Sequence, residues 1–216
     1  MKLILGAVCV CAWLAVTVSA GEDAAKPAGD ALYASRLEFI RNFKRAGLDS
    51  TAEDAALLRI LIETAKLKRG VEVGSFKGFG AINMGIAFER NGGQLITLEI
   101  DPRTADECRE NLKKAGLEKT VTCLTGDALK TLPTLEGEFD FVFIDAKKED
   151  YLKYLKAIEP KLKAGALIVA DNTIQSAKQM PDFLEHVTKN PENYDAVTVR
   201  ASMEKKDGMT IAYKRR

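Results

Sequence analysis

The spacing of apolar residues changes several times along the chain, between the period of a helix and that of a strand. Residues 32–45 and 52–65 carry apolar side chains at helical spacing, so both segments are predicted to be helices. Short apolar segments then alternate with longer amphipathic ones. The predicted strands are 70–74, 94–100, 121–125, 139–144 and 166–170, and the predicted helices are 81–90, 103–115, 151–162 and 181–189. This alternation predicts a parallel sheet with helices on both faces.

The last part of the chain follows a different pattern. Residues 196–201 and 209–214 are both predicted to be strands, and only a charged turn at 204–208 separates their ends. So short a connection predicts an antiparallel hairpin at one edge of the sheet. Before the first strand, Ser50 is the predicted N-cap of the second helix, and Glu53 can reach back to it.

The first twenty residues differ from the rest of the chain. Lys2 gives a positive start, residues 3–18 carry no charge, and Val-Ser-Ala at 18–20 precedes Gly21. This pattern is typical of a secretory signal peptide. The apolar run is shorter than the roughly 18 residues expected of a helix that spans a membrane. Cleavage of the segment is therefore favoured over an uncleaved anchor.

We therefore expect three regions along the chain. They are a signal peptide or N-terminal anchor at 1–20, a flexible linker at 21–30 and a folded domain at 31–216. The expected location is the secretory pathway, with the mature protein periplasmic or extracellular. The alternative is a domain held at a membrane by the uncleaved segment. The sequence leaves membrane association and a homodimer open.

The composition indicates one globular domain with no preference for nucleic acid. The chain has 216 residues, of which 46% are hydrophobic and 29% charged, as in ordinary folded proteins. Its 32 basic residues nearly equal its 31 acidic ones, and loss of Lys2 with the leader makes them equal. A neutral balance argues against a nucleic-acid partner. After the leader only Cys108 and Cys123 remain, and we expect them to be buried free thiols.

An acidic residue lies at the end of every predicted parallel strand. These residues are Glu72, Glu99, Asp127, Asp145 and Asp171. In an open α/β sheet, ligands bind beyond the carboxyl ends of the strands, near the point where the strand order reverses. The five acids are therefore predicted to surround one ligand site.

The first strand ends in a glycine turn, E-V-G-S-F-K-G-F-G, which contains Gly74 and Gly78. Glycines let the backbone approach a ligand closely, although a tight structural turn would also need them. The turn does not have the G-x-G-x-x-G spacing. Glu99 strengthens the cofactor interpretation, because a carboxylate at the end of the second strand can accept hydrogen bonds from both ribose hydroxyls.

A second group of polar residues follows the fourth and fifth predicted strands. Asp145, Asp171 and Asn172 supply hard oxygen ligands, which suit Mg²⁺ and also Ca²⁺ or Mn²⁺. With one histidine in the chain, a conventional zinc site is excluded. The alternative is that the acids cap the following helices. Lys148, three residues after Asp145, is either functional or a solvated lysine in a run of charges.

The sequence resembles a known enzyme family. The segments E-V-G-S-F-K-G-F-G-A, L-I-T-L-E-I-D-P, G-D-A-L, F-D-F-V-F-I-D-A-K-K-E-D-Y and A-D-N occur in that order. In this order and spacing they are similar to those of the metal-dependent small-molecule O-methyltransferases, of the catechol and caffeoyl-CoA types. The resemblance covers roughly residues 52–215. It implies a Rossmann-like class I methyltransferase fold, S-adenosyl-L-methionine as cofactor, a divalent cation, most simply Mg²⁺, and a catechol-like acceptor.

The resemblance also implies a role for each candidate residue. Lys148 would be the catalytic base, and Asp145, Asp171 and Asn172 would hold the metal. The residues implied to bind the cofactor are Glu72, Gly74 and Ser75 at the methionine portion, Glu99 at the ribose, Asp127 near the adenine, and also Gly78 and Asp145.

Three positions depart from the family pattern. Gly80 stands where serine is frequent, and Lys147 stands where the catechol enzyme has an aromatic gate. Glu204 is a weak substitute for that enzyme's second substrate-orienting carboxylate. Cofactor use is therefore better supported than catechol specificity.

Two other functions remain open. A nicotinamide-dependent oxidoreductase also needs a glycine turn and a ribose-binding acid, but it does not explain the Asp145, Lys148 and Asp171 group. A binding protein without turnover would retain the same fold.

Overall fold

The computed structural model describes residues 28–216 and contains one mixed sheet of seven strands. The strands are β1 (Arg69–Val73), β2 (Gln94–Glu99), β3 (Val121–Thr125), β4 (Phe139–Ile144), β5 (Leu162–Ala170), β6 (Tyr194–Val199) and β7 (Met209–Lys214). All of the strands predicted from the sequence are present. The alternation of apolar segments was therefore a correct guide to the sheet.

Helices occupy the connections between the strands and precede the first of them. They are α1 (Ala28–Asn42), α2 (Ala52–Ala65), α3 (Phe79–Arg90), α4 (Pro102–Lys114), α5 (Ala128–Thr131), α6 (Tyr151–Ile158) and α7 (Pro181–Thr188). Helix α1 begins three residues before the predicted start of the domain. Among the described residues, no helix has both the length and the apolar character needed to cross a membrane.

The strand order places one opening at the centre of the sheet. The order is β3-β2-β1-β4-β5-β7-β6, in which β1 to β5 run parallel and the β6–β7 hairpin runs antiparallel. From β1 the chain moves outwards to β2 and β3, then returns to the other side of β1 with β4. The loop after β1 and the loop after β4 therefore run in opposite directions and leave a crevice between them. In open α/β sheets, ligands bind in this crevice at the carboxyl ends of the strands. The predicted α/β fold with an antiparallel C-terminal hairpin is confirmed.

Two hydrophobic clusters cover the two faces of the sheet. Strand β4 contributes to both, because successive side chains of a strand point to opposite faces. Phe141 and Phe143 pack with α2, α3 and α4. Val142 and Ile144 pack with α6 and α7 on the other face. Because β4 is apolar on both sides, its carboxyl end is held rigidly beside that of β1.

Several element boundaries differ from the prediction, and β5 begins four residues before the predicted 166. Thr51, not Ser50, is the N-cap of α2, since its side chain accepts a hydrogen bond from the Asp54 amide at 3.1 Å. The predicted helix 151–162 ends at Ile158, because a 3₁₀ turn containing Pro160 follows and β5 then begins at Leu162. The hairpin strand predicted at 196–201 lies two residues earlier, at Tyr194–Val199.

The N-terminal predictions concern residues that the structure does not describe. The signal peptide or anchor at 1–20 lies wholly outside the described residues, and so does most of the linker at 21–30. These assignments stay predictions.

Candidate functional site

A cavity of about 750 Å³ opens at the carboxyl ends of the parallel strands. Most of the site residues predicted from the sequence line it. They are Glu72, Gly74, Ser75, Glu99, Asp127, Asp145, Lys148, Asp171 and Asn172. The fold thus brings together residues that are up to 100 positions apart in the sequence. Their individual roles remain predictions.

The glycine turn after β1 brings its backbone against the end of β4. Gly74 has a φ of +92°, and a Cβ at this position would lie 2.1 Å from the carbonyl oxygen of Asp145. Only glycine fits there without displacing the backbone of β4's end. Gly78 has a φ of +91° but packs on the Cys108 thiol and does not line the cavity. The structure therefore gives Gly78 a turn role, and its assignment to the cofactor stays a prediction.

Glu99 is fixed in position by backbone amides at the end of β2. Its Oε2 accepts a hydrogen bond from the Phe76 amide at 2.9 Å, and its Oε1 accepts one from the Asp101 amide at 3.0 Å. Each carboxylate oxygen can accept more than one hydrogen bond. Glu99 can therefore still accept two hydroxyl hydrogens from a vicinal diol, such as a ribose, in the cavity.

Helix capping explains some of the acids at the strand ends but not all of them. Asp127 accepts a hydrogen bond from the Leu129 amide at 2.9 Å and caps α5, and Asp101 caps α4 in the same way. Asp145 and Asp171 have no such role, since the 3₁₀ turn before α6 begins after Lys147 and no helix starts directly after Asp171. These two carboxylates need another explanation.

Lys148 lies at the centre of a hydrogen-bonded chain inside the cavity wall. Its Nζ is 2.9 Å from Asp145 Oδ1 and 2.8 Å from the Tyr151 hydroxyl oxygen. Tyr151 is fully buried, and its hydroxyl donates to the carbonyl oxygen of Asp171 at 3.2 Å. Burial raises the pKa of Tyr151, so the phenol stays protonated and holds the lysine in place. Lys148 is therefore not a freely solvated side chain.

Asp145 and Asp171 lie at the ends of two hydrogen-bonded strands. They directly follow Ile144 and Ala170, which are paired in the β4–β5 ladder, and the Asp171 amide donates to the Ile144 carbonyl oxygen at 3.0 Å. Burial, and then the negative charge of Asp145, raise the pKa of Asp171 to about 7. The two carboxylates therefore repel each other, and a cation between them would remove that repulsion.

Asn172 is oriented by an acid that the sequence analysis missed. Its backbone has a φ of +59°, and its Nδ2 donates to Asp207 Oδ2 at 3.2 Å. The other oxygen of Asp207 accepts hydrogen bonds from the amides of Ile174, Gln175 and Gly208. Because the amide nitrogen of Asn172 is used in this way, its side-chain oxygen is the atom left for a ligand. In the sequence Asp207 is one of several charged residues in the predicted turn at 204–208, and nothing there distinguishes it from its neighbours.

The donor set fits a hard divalent cation. In the described residues, no hydrogen bond engages Asp145 Oδ2, Asp171 Oδ2 or Asn172 Oδ1. Two carboxylate oxygens and one amide oxygen are ligands that Mg²⁺, Ca²⁺ and Mn²⁺ accept. Within residues 28–216, however, no group of three or more His, Cys, Asp or Glu side chains is placed to hold a metal. A metal would thus depend on Asn172 and on water or a bound molecule for its remaining ligands.

Glu72 is a buried carboxyl group on the floor of the cavity, with 1% of its surface exposed. Thr97 donates a hydrogen bond to it from the neighbouring strand. Burial raises the pKa of Glu72 to about 8, and the charges of Asp145 and Glu99 act in the same direction. Without a bound cation, Glu72 is therefore largely protonated at pH 7.

We expect the Glu72→Gln variant to be more stable than the wild type at alkaline pH. The folded protein holds the Glu72 proton up to about pH 8, whereas the unfolded chain loses it near 4.5. Unfolding therefore releases a proton in this interval, and wild-type stability falls as the pH rises from about 4.5 to 8. Melting temperatures of both proteins between pH 5 and 9, without cofactor, should diverge with rising pH. A constant difference across this range would contradict the assignment.

Four other titratable residues do not line the cavity: His186, Cys108, Cys123 and Glu204. His186 contacts Glu159 at 3.2 Å and packs against the Tyr194 ring, so it is a packing residue. Cys108 and Cys123 are free and buried, as expected. Glu204 pairs with Arg45 at 3.1 Å and does not line the cavity, so it does not supply a carboxylate to the site.

Comparison with known proteins shows which family this chain is similar to. The family model described as O-methyltransferase matches residues 31–213. A catechol O-methyltransferase of Niastella koreensis is 38% identical over 129 residues, which are 58% of this chain and 58% of that protein. A catechol O-methyltransferase of Mycobacterium tuberculosis is 33% identical over 155 residues, which are 71% of this chain and 66% of that protein. The matched region thus spans less than two thirds of either relative.

The solved structures agree with the family match. The O-methyltransferase TomG from Streptomyces achromogenes, involved in tomaymycin synthesis and solved in complex with SAM, superposes with a TM-score of 0.74 at 25% identity. The match covers 86% of this chain and 90% of that one. A family model that covers nearly all of the described residues identifies this chain as a member of the O-methyltransferase family.

Proposed function

We propose that this chain is an S-adenosyl-L-methionine-dependent O-methyltransferase that methylates a hydroxyl group of a catechol-like small molecule with the aid of a divalent cation. One observation carries the proposal: a single cavity contains the amide-fixed carboxylate of Glu99 at one end and the Asp145, Lys148, Asp171 and Asn172 group at the other. Glu99 can bind a nucleoside, and the other group can bind and deprotonate a hydroxyl compound. Methyl transfer needs one site for the cofactor and one for the acceptor.

The cofactor half of the site is built by β1, β2 and β3. Glu99 would accept the ribose hydroxyls, and Asp127 would lie near the adenine. Gly74 and Ser75 would border the methionine portion, where the absence of a Cβ at Gly74 lets a ligand approach the backbone. The relative TomG, solved with SAM, has the same fold and supports this choice of cofactor.

The acceptor half of the site is built by the ends of β4 and β5. Asp145, Asp171 and Asn172 would hold the cation, which stabilises a hydroxyl in its ionised form and orients two vicinal oxygens when bound. An ordinary phenol has a pKa near 10 and is about a thousandfold more protonated than ionised at pH 7. The site therefore has to promote ionisation before the oxygen can act as a nucleophile.

Lys148 would receive the proton of the acceptor hydroxyl on Nζ and pass it to solvent. Asp145 and Tyr151 hold this nitrogen in position, at 2.9 Å and 2.8 Å. The acceptor oxygen then forms a bond to the methyl carbon as the carbon–sulfur bond breaks, and the bonding pair remains on sulfur. The protein contributes mainly by holding oxygen, carbon and sulfur in line.

A methyl-transfer assay on the full chain tests the proposal. With labelled S-adenosyl-L-methionine, 1,2-dihydroxybenzene and Mg²⁺, we expect labelled monomethyl ether and one equivalent of the demethylated cofactor. The cofactor should also raise the melting temperature, since a ligand at about 100 times its Kd adds about 2.7 kcal/mol of stability. Stabilisation by NAD⁺ instead would favour the oxidoreductase alternative. Stabilisation by S-adenosyl-L-methionine without transfer to any vicinal diol would favour the non-catalytic binding protein.

A further inference from the structure

The loop between β6 and β7 brings a lysine to the acceptor end of the cavity. Lys205 is partly buried, lines the cavity, and donates from Nζ to the backbone carbonyl oxygen of Asp49 at 3.2 Å. In the part of the chain that the structure describes, Lys205 forms no ion pair. Its hydrogen-bond partner is thus a neutral oxygen, and the carboxylates of Asp49 and Asp54 act on the ammonium only through longer-range charge interaction.

The position of Lys205 is fixed relative to the proposed metal ligands. Two residues further along the loop, Asp207 accepts the hydrogen bond from Asn172. Before it, Glu204 pairs with Arg45 at 3.1 Å, and the Ser202 hydroxyl donates to Glu53 at 3.3 Å. Contacts on both sides therefore hold Lys205 at the acceptor end, so its placement does not depend on a free loop.

A second lysine, Lys147, also lines the cavity. It follows β4 directly after Ala146 and pairs with Asp150 at 3.2 Å. The same carboxylate also pairs with Lys153 at 2.6 Å. Lys147 and Lys148 are thus both paired with carboxylates, so among the described lysines that line the cavity Lys205 is the one without an ion pair.

The wall beside Lys205 also offers an apolar surface. Leu48, the neighbour of the Asp49 carbonyl to which Lys205 donates, lines the cavity with 73% of its surface exposed. An exposed leucine beside a cation suits a molecule that has both an apolar ring and a negative group. Neither a neutral nor a cationic catechol would use the charge of Lys205.

From this arrangement we infer that the acceptor is an acidic catechol, a dihydroxy-aromatic compound with a carboxylate on its ring or side chain, and that Lys205 pairs with that carboxylate. The inference rests on the proposed function. The cation end of the cavity takes the two hydroxyls, the ring lies against Leu48, and the carboxylate meets Lys205. A substrate of this kind would bind with its reactive oxygens directed towards Lys148.

A matched pair of acceptors tests the inference on the full chain with Mg²⁺. The first is 3,4-dihydroxybenzoate, and the second is 3,4-dihydroxybenzamide, which has nearly the same size but no charge. We expect kcat/KM to favour the carboxylate by about tenfold, the factor that corresponds to 1.4 kcal/mol. The difference should lie mainly in KM, because the charge is remote from the reacting oxygen, and it should shrink at high salt.

Variants assign the preference to Lys205. In Lys205→Met the ratio of the two kcat/KM values should fall to near one, whereas Lys205→Arg should retain most of it. Lys206→Met, in the same loop but outside the cavity, serves as the control and should retain the wild-type ratio. Equal use of the two acceptors by the wild type, or an unchanged ratio in Lys205→Met, would overturn the inference and leave the proposed function intact. Failure to methylate either acceptor or plain catechol would overturn both.

Discussion

Replacement of Lys148 by glutamine should lower kcat by about 10²–10⁴-fold, the range that general bases contribute. The glutamine amide retains hydrogen bonding to Asp145 and Tyr151 but cannot accept the proton of the acceptor hydroxyl. Lys148 is part of a chain that includes a fully buried tyrosine, so its geometry is set before a substrate binds. Binding of S-adenosyl-L-methionine, measured by calorimetry, should change by less than about threefold, because the cofactor half of the site lies on other strands.

The matched control for this experiment is Lys163→Gln, which changes an exposed lysine of β5 away from the cavity. It should leave kcat unchanged. The pH dependence adds a second readout, because the rise in kcat that reports the base should vanish in Lys148→Gln and persist in the control. If Lys148→Gln retained wild-type turnover, or lost cofactor binding together with turnover, Lys148 would have no role as a base.

Removal of divalent cations should abolish methyl transfer, and added Mg²⁺ should restore it. An ion that stabilises the ionised hydroxyl contributes several kcal/mol, which corresponds to about two to three orders of magnitude in rate. Asp171→Asn should reproduce the loss even with Mg²⁺ present, since it removes one of the two ligand charges. The measurement is the rate of transfer after dialysis against a chelator, followed by titration with Mg²⁺, Mn²⁺ and Ca²⁺.

Stability measurements separate loss of metal from loss of folding. Burial, and then the negative charge of Asp145, disfavour the ionised form of Asp171, as its raised pKa indicates. Without metal, Asp171→Asn should therefore be at least as stable as the wild type at pH 8. Glu185→Ala, at an exposed acid of α7, is the control and should leave both rate and metal response unchanged. Activity that survives complete removal of metal would end the metal part of the proposal.

Much of the fold could be predicted from local patterns. The strand at 139–144 is apolar at nearly every position, which only a strand covered on both faces tolerates, and its bounds match those of β4. Once β1 to β5 are known to be parallel, their carboxyl ends must meet at one edge of the sheet. That rule alone placed Glu99, Asp145 and Asp171 around one cavity.

The rest of the site depends on contacts that local patterns do not encode. Asp207 and Lys205 lie in a connection between two strands, and their approach to Asn172 and Asp49 requires β7 to insert beside β5. No periodicity specifies that insertion. Thr51 and Ser50 are equally suitable caps by type, and only the backbone geometry shows which one is used. Gly78 had the same signature as Gly74 but faces Cys108, away from the cavity.

The insertion of β7 between β5 and β6 also has a consequence for biosynthesis. Chains are made from the N-terminus and begin to fold before translation ends. Until Met209–Lys214 has left the ribosome, the outer edge of β5 has no partner, β6 has no place in the sheet, and the Asn172 side chain lacks Asp207. The nascent chain therefore exposes an open strand edge, which invites association with other chains. A chaperone that shields this edge until β7 is available would therefore assist folding.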